Sequence, residues 1–135
     1  MDCPEHAAET TGRSRHGLLV ESRTHPDGAV IVRLLGEADL HTAPSLRDAL
    51  ADAHQTESSV IVVDMTGVTF IDSMILGVLL GATRATRSQG GGSDLRIVVD
   101  DPHVRRIFEM TLLDRVLPLY DDLEIALDPA GRVVR

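Results

Sequence analysis

The chain predicts an α/β fold with a largely parallel sheet and helical crossovers. Three observations carry that expectation. Val60-Ile61-Val62-Val63 is a continuous apolar run of the kind found in a sheet centre covered on both faces. Helical and strand patterns alternate from Thr42 onward, the order that gives parallel strands joined through helices. A hairpin precedes them, marked by the turn residues His25-Pro26-Asp27-Gly28. At 135 residues the chain is one domain, large enough for a core without disulfides or metals.

Residues 1–17 are polar and aperiodic and read as a disordered tail; the folded domain spans 18–127, and 128–135 is a second polar tail. Leu18-Leu19-Val20 begins a strand and Ala29 to Leu35 returns from the turn, followed by a connecting loop over Gly36 to Leu40. Thr42 is placed to cap a helix that carries Pro44 in its first turn, with Leu46, Ala49, Leu50 and Ala53 as its apolar stripe. After the strand at Val60, a second helix runs from Ser73 to about Arg87 and stops at Gly90-Gly91-Gly92. Leu95 to Val99 is another buried strand. Asp101-Pro102 opens a third helix, with Val104, Ile107, Phe108 and Leu112 on one face. Val116 to Leu119 reads as a short strand, and Asp121 with Glu124 resembles a capping box for a last helix bearing Leu123, Ala126 and Leu127.

Composition narrows the function. A formal net charge of −8 argues against a nucleic-acid footprint and points to protein partners. The single cysteine, Cys3, cannot form an internal disulfide and fits a reducing compartment. The start of the chain lacks signal-peptide character, and the apolar run from Met74 to Ala82 is far shorter than the about 20 residues that span a bilayer, so no membrane contact and a cytoplasmic location are expected. The six histidines show no paired metal spacing, Gly90-Gly91-Gly92-Ser93 lacks the lysine of a phosphate loop, and no cofactor is expected. Gly77 and Gly81 lie four apart, a spacing that permits close backbone packing on a helix.

Asp72-Ser73 is the most informative pair. It sits between the buried strand and an apolar helical run, where free backbone N–H groups and the positive end of the helix dipole favour an oxygen or a phosphate. A strand-to-helix turn is also surface-accessible on a rigid scaffold. A serine before a helix usually serves only as its N-cap, so the hydroxyl at 73 has a structural reading beside the functional one. As a nucleophile it fails the Gly-x-Ser-x-Gly pattern, and no histidine stands in sequence as an obvious partner; an enzyme is not expected.

Four segments together resemble the STAS domain family: Leu35-Gly36-Glu37-Ala38-Asp39-Leu40 with Thr42-Ala43-Pro44; Val63-Asp64-Met65-Thr66-Gly67-Val68; Phe70-Ile71-Asp72-Ser73; and Val104-Arg105-Arg106-Ile107-Phe108-Glu109-Met110-Thr111. The resemblance covers Leu18 through Leu127, and the free-standing length favours the anti-sigma factor antagonist branch. It implies a four- to five-stranded mixed sheet with helices packed against it. It also implies a partner, an anti-sigma factor of the serine-kinase type, whose capture frees a sigma factor. The serine after the aspartate accepts phosphate in that family, which is Ser73 here, and a serine phosphatase would reverse the modification. A scaffold or regulatory subunit of a stress-signalling or transporter-associated complex is the alternative. The chain departs from the family pattern at Met74-Ile75, where a small hydroxyl residue and glycine are usual, and at Leu112, where glycine commonly follows the threonine.

The expected contact surface comprises Glu37, Asp39, Asp72, Ser73, Met74, Ile75 and Val78. Glu37 and Asp39 would meet an arginine-bearing partner, while Met74, Ile75 and Val78 would supply an apolar anchor if they face outward. Periodicity cannot orient a fully apolar run, so core packing is the equal reading for Met74 and Ile75. Leu76, Leu79 and Leu80 are expected to face the sheet.

Overall fold

The structure, a computed structural model, describes residues 9–13, 19–39, 41–56, 58, 60–89 and 94–128. Six strands form one mixed sheet in chain order: β1 (Glu9–Arg13), β2 (Leu19–Thr24), β3 (Val30–Ala38), β4 (Val60–Ile71), β5 (Asp94–Val98) and β6 (Leu119–Tyr120). β1, β2 and β3 pair antiparallel, and β3 through β6 run parallel. The helices are α1 (Ala43–His54), α2 (Ser73–Gln89), α3 (Pro102–Met110) and the single turn α4 (Leu123–Ala126), with a 3-10 turn at Leu113–Arg115. Helices α1, α2 and α3 each link two neighbouring parallel strands, as α/β alternation requires.

Strands β2 to β6 account for the five strands the sequence implies, and β1 is an addition. The sequence places residues 9–13 in a disordered tail, yet they pair along β2 from Glu9↔Arg23 to Arg13↔Leu19. The reason is that an edge strand is held by backbone bonds and needs no apolar face; Thr10 and Thr11 also suit an extended chain. The rest of the expected tails, at 1–8, 14–17 and 129–135, lies outside the described residues, as do Leu18, expected to open a strand, and the Gly90-Gly91-Gly92 stop.

The main core lies between the sheet and α1, α2 and α3. Val32, Leu34, Ile61, Val63, Met65 and Ile97 point into it from the strands, and Leu46, Leu50, Ile75, Leu79, Val104 and Phe108 meet them from the helices. A smaller cluster on the opposite face joins Ile31, Val62, Val98 and Tyr120 to Ala126 of α4. Arg96 fastens that helix: its buried guanidinium donates through Nη1 to the carbonyls of Ala126 (2.7 Å) and Asp128 (2.8 Å) and pairs through Nε with Asp94 (2.8 Å). Burial pushes the Tyr120 phenol above its ordinary pKa, against the pull of the nearby Arg96.

Several boundaries move from their sequence positions. β3 continues through Gly36-Glu37-Ala38, expected as loop, because Gly36 takes a φ of 106° that absorbs a register shift in pairing with β4. β4 continues past Val63 to Ile71; at Gly67 a Cβ would collide with the Leu35 side chain, so glycine lets the two strands stay paired. Thr42 precedes α1 without a side-chain bond into it, since its hydroxyl donates to the Asp39 carbonyl (2.9 Å) and accepts the Asp39 N–H (2.8 Å). The last helix is capped by Asp122, whose Oδ1 accepts the Ile125 N–H at 2.8 Å, rather than by Asp121, which pairs with Arg105 at 2.6 Å. The strand after α3 shrinks to Leu119–Tyr120 because the chain first closes a 3-10 turn.

Candidate functional site

The parallel strands β3 and β4 end side by side, with Glu37 opposite Phe70 and Ala38 opposite Ile71. Carboxyl ends of parallel strands are where α/β sheets present ligand and partner sites. Immediately beyond, Asp72 turns the chain into α2. Its Oδ1 accepts the N–H of Met74 at 3.0 Å and of Ile75 at 3.2 Å, and its carbonyl accepts the Leu76 N–H at 3.2 Å. Asp72 is therefore the N-cap, and Ser73 is the first residue of the helix. The capping role that the sequence leaves open for Ser73 belongs to its neighbour.

The Ser73 side chain is exposed, and among the described residues its hydroxyl has no hydrogen-bond partner. Met74 beside it is 47% exposed. Ile75 and Val78 are not: at 0% and 8% exposure they belong to the core. The expected outward anchor thus reduces to Met74, because α2 packs on the sheet through Ile75, Leu76, Val78 and Leu79, while Leu80 is half-buried. Among the described residues, Gly77 and Gly81 do not serve close packing, since a Cβ on either would meet nothing within 4 Å.

Glu37 is exposed at the end of β3. Asp39 is half-buried and organises the turn into α1: its Oδ1 accepts the His41 N–H at 3.0 Å and its carbonyl accepts from Thr42 and Ala43. The geometry therefore gives Asp39 a local structural task and leaves Glu37 at the surface. One residue was missed as a surface group. Phe70 is 48% exposed, next to Glu37 in the register and two positions before the Asp72 cap. An aromatic in a strand reads as core; only the alternation Val68 buried, Thr69 and Phe70 exposed, Ile71 buried reveals otherwise.

Glu37, Phe70, Ser73 and Met74 thus stand at one end of the sheet, two apolar groups beside a carboxylate and a hydroxyl. Among the described residues no group of three or more histidine, cysteine, aspartate or glutamate side chains could hold a metal ion, and no helix is long and apolar enough to cross a membrane.

A model of the STAS domain matches residues 22–126. The chain belongs to the STAS domain family. Within it, the chain is 34% identical over 99 residues to the anti-sigma F factor antagonist of Paenibacillus polymyxa, spanning 73% of this chain and 83% of that protein. It is 29% identical over 102 residues to the anti-sigma-B factor antagonist of Listeria monocytogenes, spanning 76% and 88%. The crystal structure of an anti-sigma factor antagonist from Mycobacterium paratuberculosis superposes with a TM-score of 0.78 at 29% identity, covering 90% of this chain and 99% of that one. The STAS match includes Glu37, Phe70 and Asp72-Ser73.

Proposed function

We propose that this STAS domain is a cytoplasmic, non-enzymatic anti-sigma factor antagonist that captures a serine-kinase-type anti-sigma factor, frees a sigma factor, and is switched off by phosphorylation at Ser73. The observation that carries the reading is a hydroxyl with no task in the fold: Ser73 is exposed and uncommitted because Asp72 does the capping. The names of its relatives, antagonists of anti-sigma F and anti-sigma-B factors, support the choice of partner class.

The contact surface in this reading is Glu37, Phe70, Ser73 and Met74, with Asp72 behind them. Phe70 and Met74 supply buried apolar area, the source of most interface energy, and Glu37 supplies a rim charge for a basic partner group. In the modifying step the Ser73 Oγ attacks the γ-phosphorus of ATP bound to the partner. The bond to the β,γ-bridging oxygen breaks, ADP leaves, and the hydroxyl proton passes to a base on the kinase. The product carries about −1.5 to −2 charges where the partner surface was shaped for a neutral hydroxyl. Desolvating that charge without a counterion costs several kcal/mol, and a loss of about 3 kcal/mol weakens binding roughly 100-fold. A serine phosphatase would restore the binding form.

Incubation with a candidate anti-sigma kinase and ATP, followed by peptide mass spectrometry, tests the assignment. Phosphate on Ser73 is the expected outcome. Phosphate on another residue, or none from a kinase that binds tightly, defeats it.

A further inference from the structure

We propose that the Asp72 carboxylate holds a phosphate on Ser73 outside the mouth of α2, so that the modified site remains an outward, un-neutralised charge. This rests on the reading of Ser73 as the acceptor and concerns what the phosphate does once it is there.

A phosphate on the first residue of a helix ordinarily folds back onto the free N–H groups of the next two residues, where the dipole also favours it. Seated that way, it would be partly neutralised by its own protein and would present less charge to a partner. Here those two donors are occupied. The N–H groups of Met74 and Ile75 both point at Asp72 Oδ1, at 3.0 and 3.2 Å, and the Leu76 N–H is already bonded to the Asp72 carbonyl. A phosphate entering the mouth would exchange one anion's bonds for another's and leave a displaced carboxylate beside a dianion, so entry gains nothing.

The described residues flanking Ser73 in the chain bring no cation to it. Met74 follows Ser73 directly and its thioether is no hydrogen-bond donor. Glu37, at the adjacent strand end, is a like charge. The first arginine of α2 is Arg84, eleven residues and about 16 Å along the axis from Ser73. Asp72 is thus a positioning residue: by capping the helix, it keeps the switch group in solvent, available both to repel a partner and to be removed by a phosphatase.

The test installs phosphoserine at 73 during synthesis of the full chain, so no kinase is needed. In the chain with Asp72 in place, the backbone amide proton shifts of Met74 and Ile75 are expected to stay close to their unmodified values, and Tm to hold or fall slightly. Asp72→Ala should lower the Tm of the unmodified protein by roughly 4 °C, the value of one cap in a domain this size. Adding phosphate to D72A should then move both amide protons downfield and recover the lost Tm, a reversal that a purely structural cap would not give. If D72A does not fold, Asp72→Asn keeps a neutral cap, and phosphate is then expected to move the same two amides where it does not with Asp72. Downfield movement of both amides on phosphorylation of the Asp72 protein, or a rise in its Tm, overturns the proposal. Failure of every kinase to modify Ser73 would sink the switch and leave this result standing.

Discussion

The first turns of α2 and α3 are capped alike, and they part at the residue that opens each helix. Each follows the carboxyl end of a parallel strand. Each is capped by an aspartate whose Oδ1 accepts the second and third N–H groups: Asp72 from Met74 and Ile75, Asp101 from His103 (2.8 Å) and Val104 (3.3 Å). In both, the second residue is exposed and the third is sealed in the core, Ile75 and Val104 at 0% exposure. The difference is the first residue. α3 has Pro102, which suits that position because it has no N–H to satisfy and a preset φ. α2 has Ser73, whose hydroxyl neither caps nor packs. Proline at that position shows that a helix start of this kind needs no hydroxyl there.

Substitutions at the two helix starts test how far they are equivalent. The largest effect falls at the shared buried position: Ile75→Ala should destabilise by about 2–5 kcal/mol in chemical denaturation, whereas Met74→Ala should stay within about 0.5 kcal/mol. Next, Ser73→Glu should weaken capture of the anti-sigma partner by calorimetry while Ser73→Ala retains it; equal affinities for the two would remove the electrostatic basis of the switch. The caps come third: Asp72→Ala and Asp101→Ala should each lose about 0.5–2 kcal/mol, and a large inequality between them would show that the two turns are not equivalent. Smallest of all, Ser73→Pro should copy the start of α3 and leave stability within about 0.5 kcal/mol, while abolishing phosphate acceptance. A marked loss of stability in S73P would mean that Ser73 serves the fold after all.

The same pair of helices marks how far the sequence could be read. Asp101-Pro102 announces a helix start because cap and proline occupy their preferred places, and the amphipathic pattern of Val104 and Phe108 orients the helix. For α2 the run from Met74 to Leu80 is apolar almost throughout, so the period gave no face, and Ile75 and Val78 turned inward where a surface role was open to them. Adjacent aspartates at 121 and 122 are indistinguishable as caps until Arg105 is seen to hold the first. β1 was illegible because its pairing is a backbone matter, and Phe70 because an exposed aromatic looks the same in sequence as a buried one. The parallel sheet and the start of a helix at Asp72-Ser73 were legible, since both rest on local pattern rather than on which face meets the core.

The affinity of the anti-sigma partner for the unmodified chain and for the same chain carrying phosphoserine at 73 is the most direct measurement of the switch. A fall of roughly 100-fold or more, with an unchanged circular dichroism spectrum, is the result expected. Equal affinities, or a loss of binding that accompanies unfolding, would contradict it.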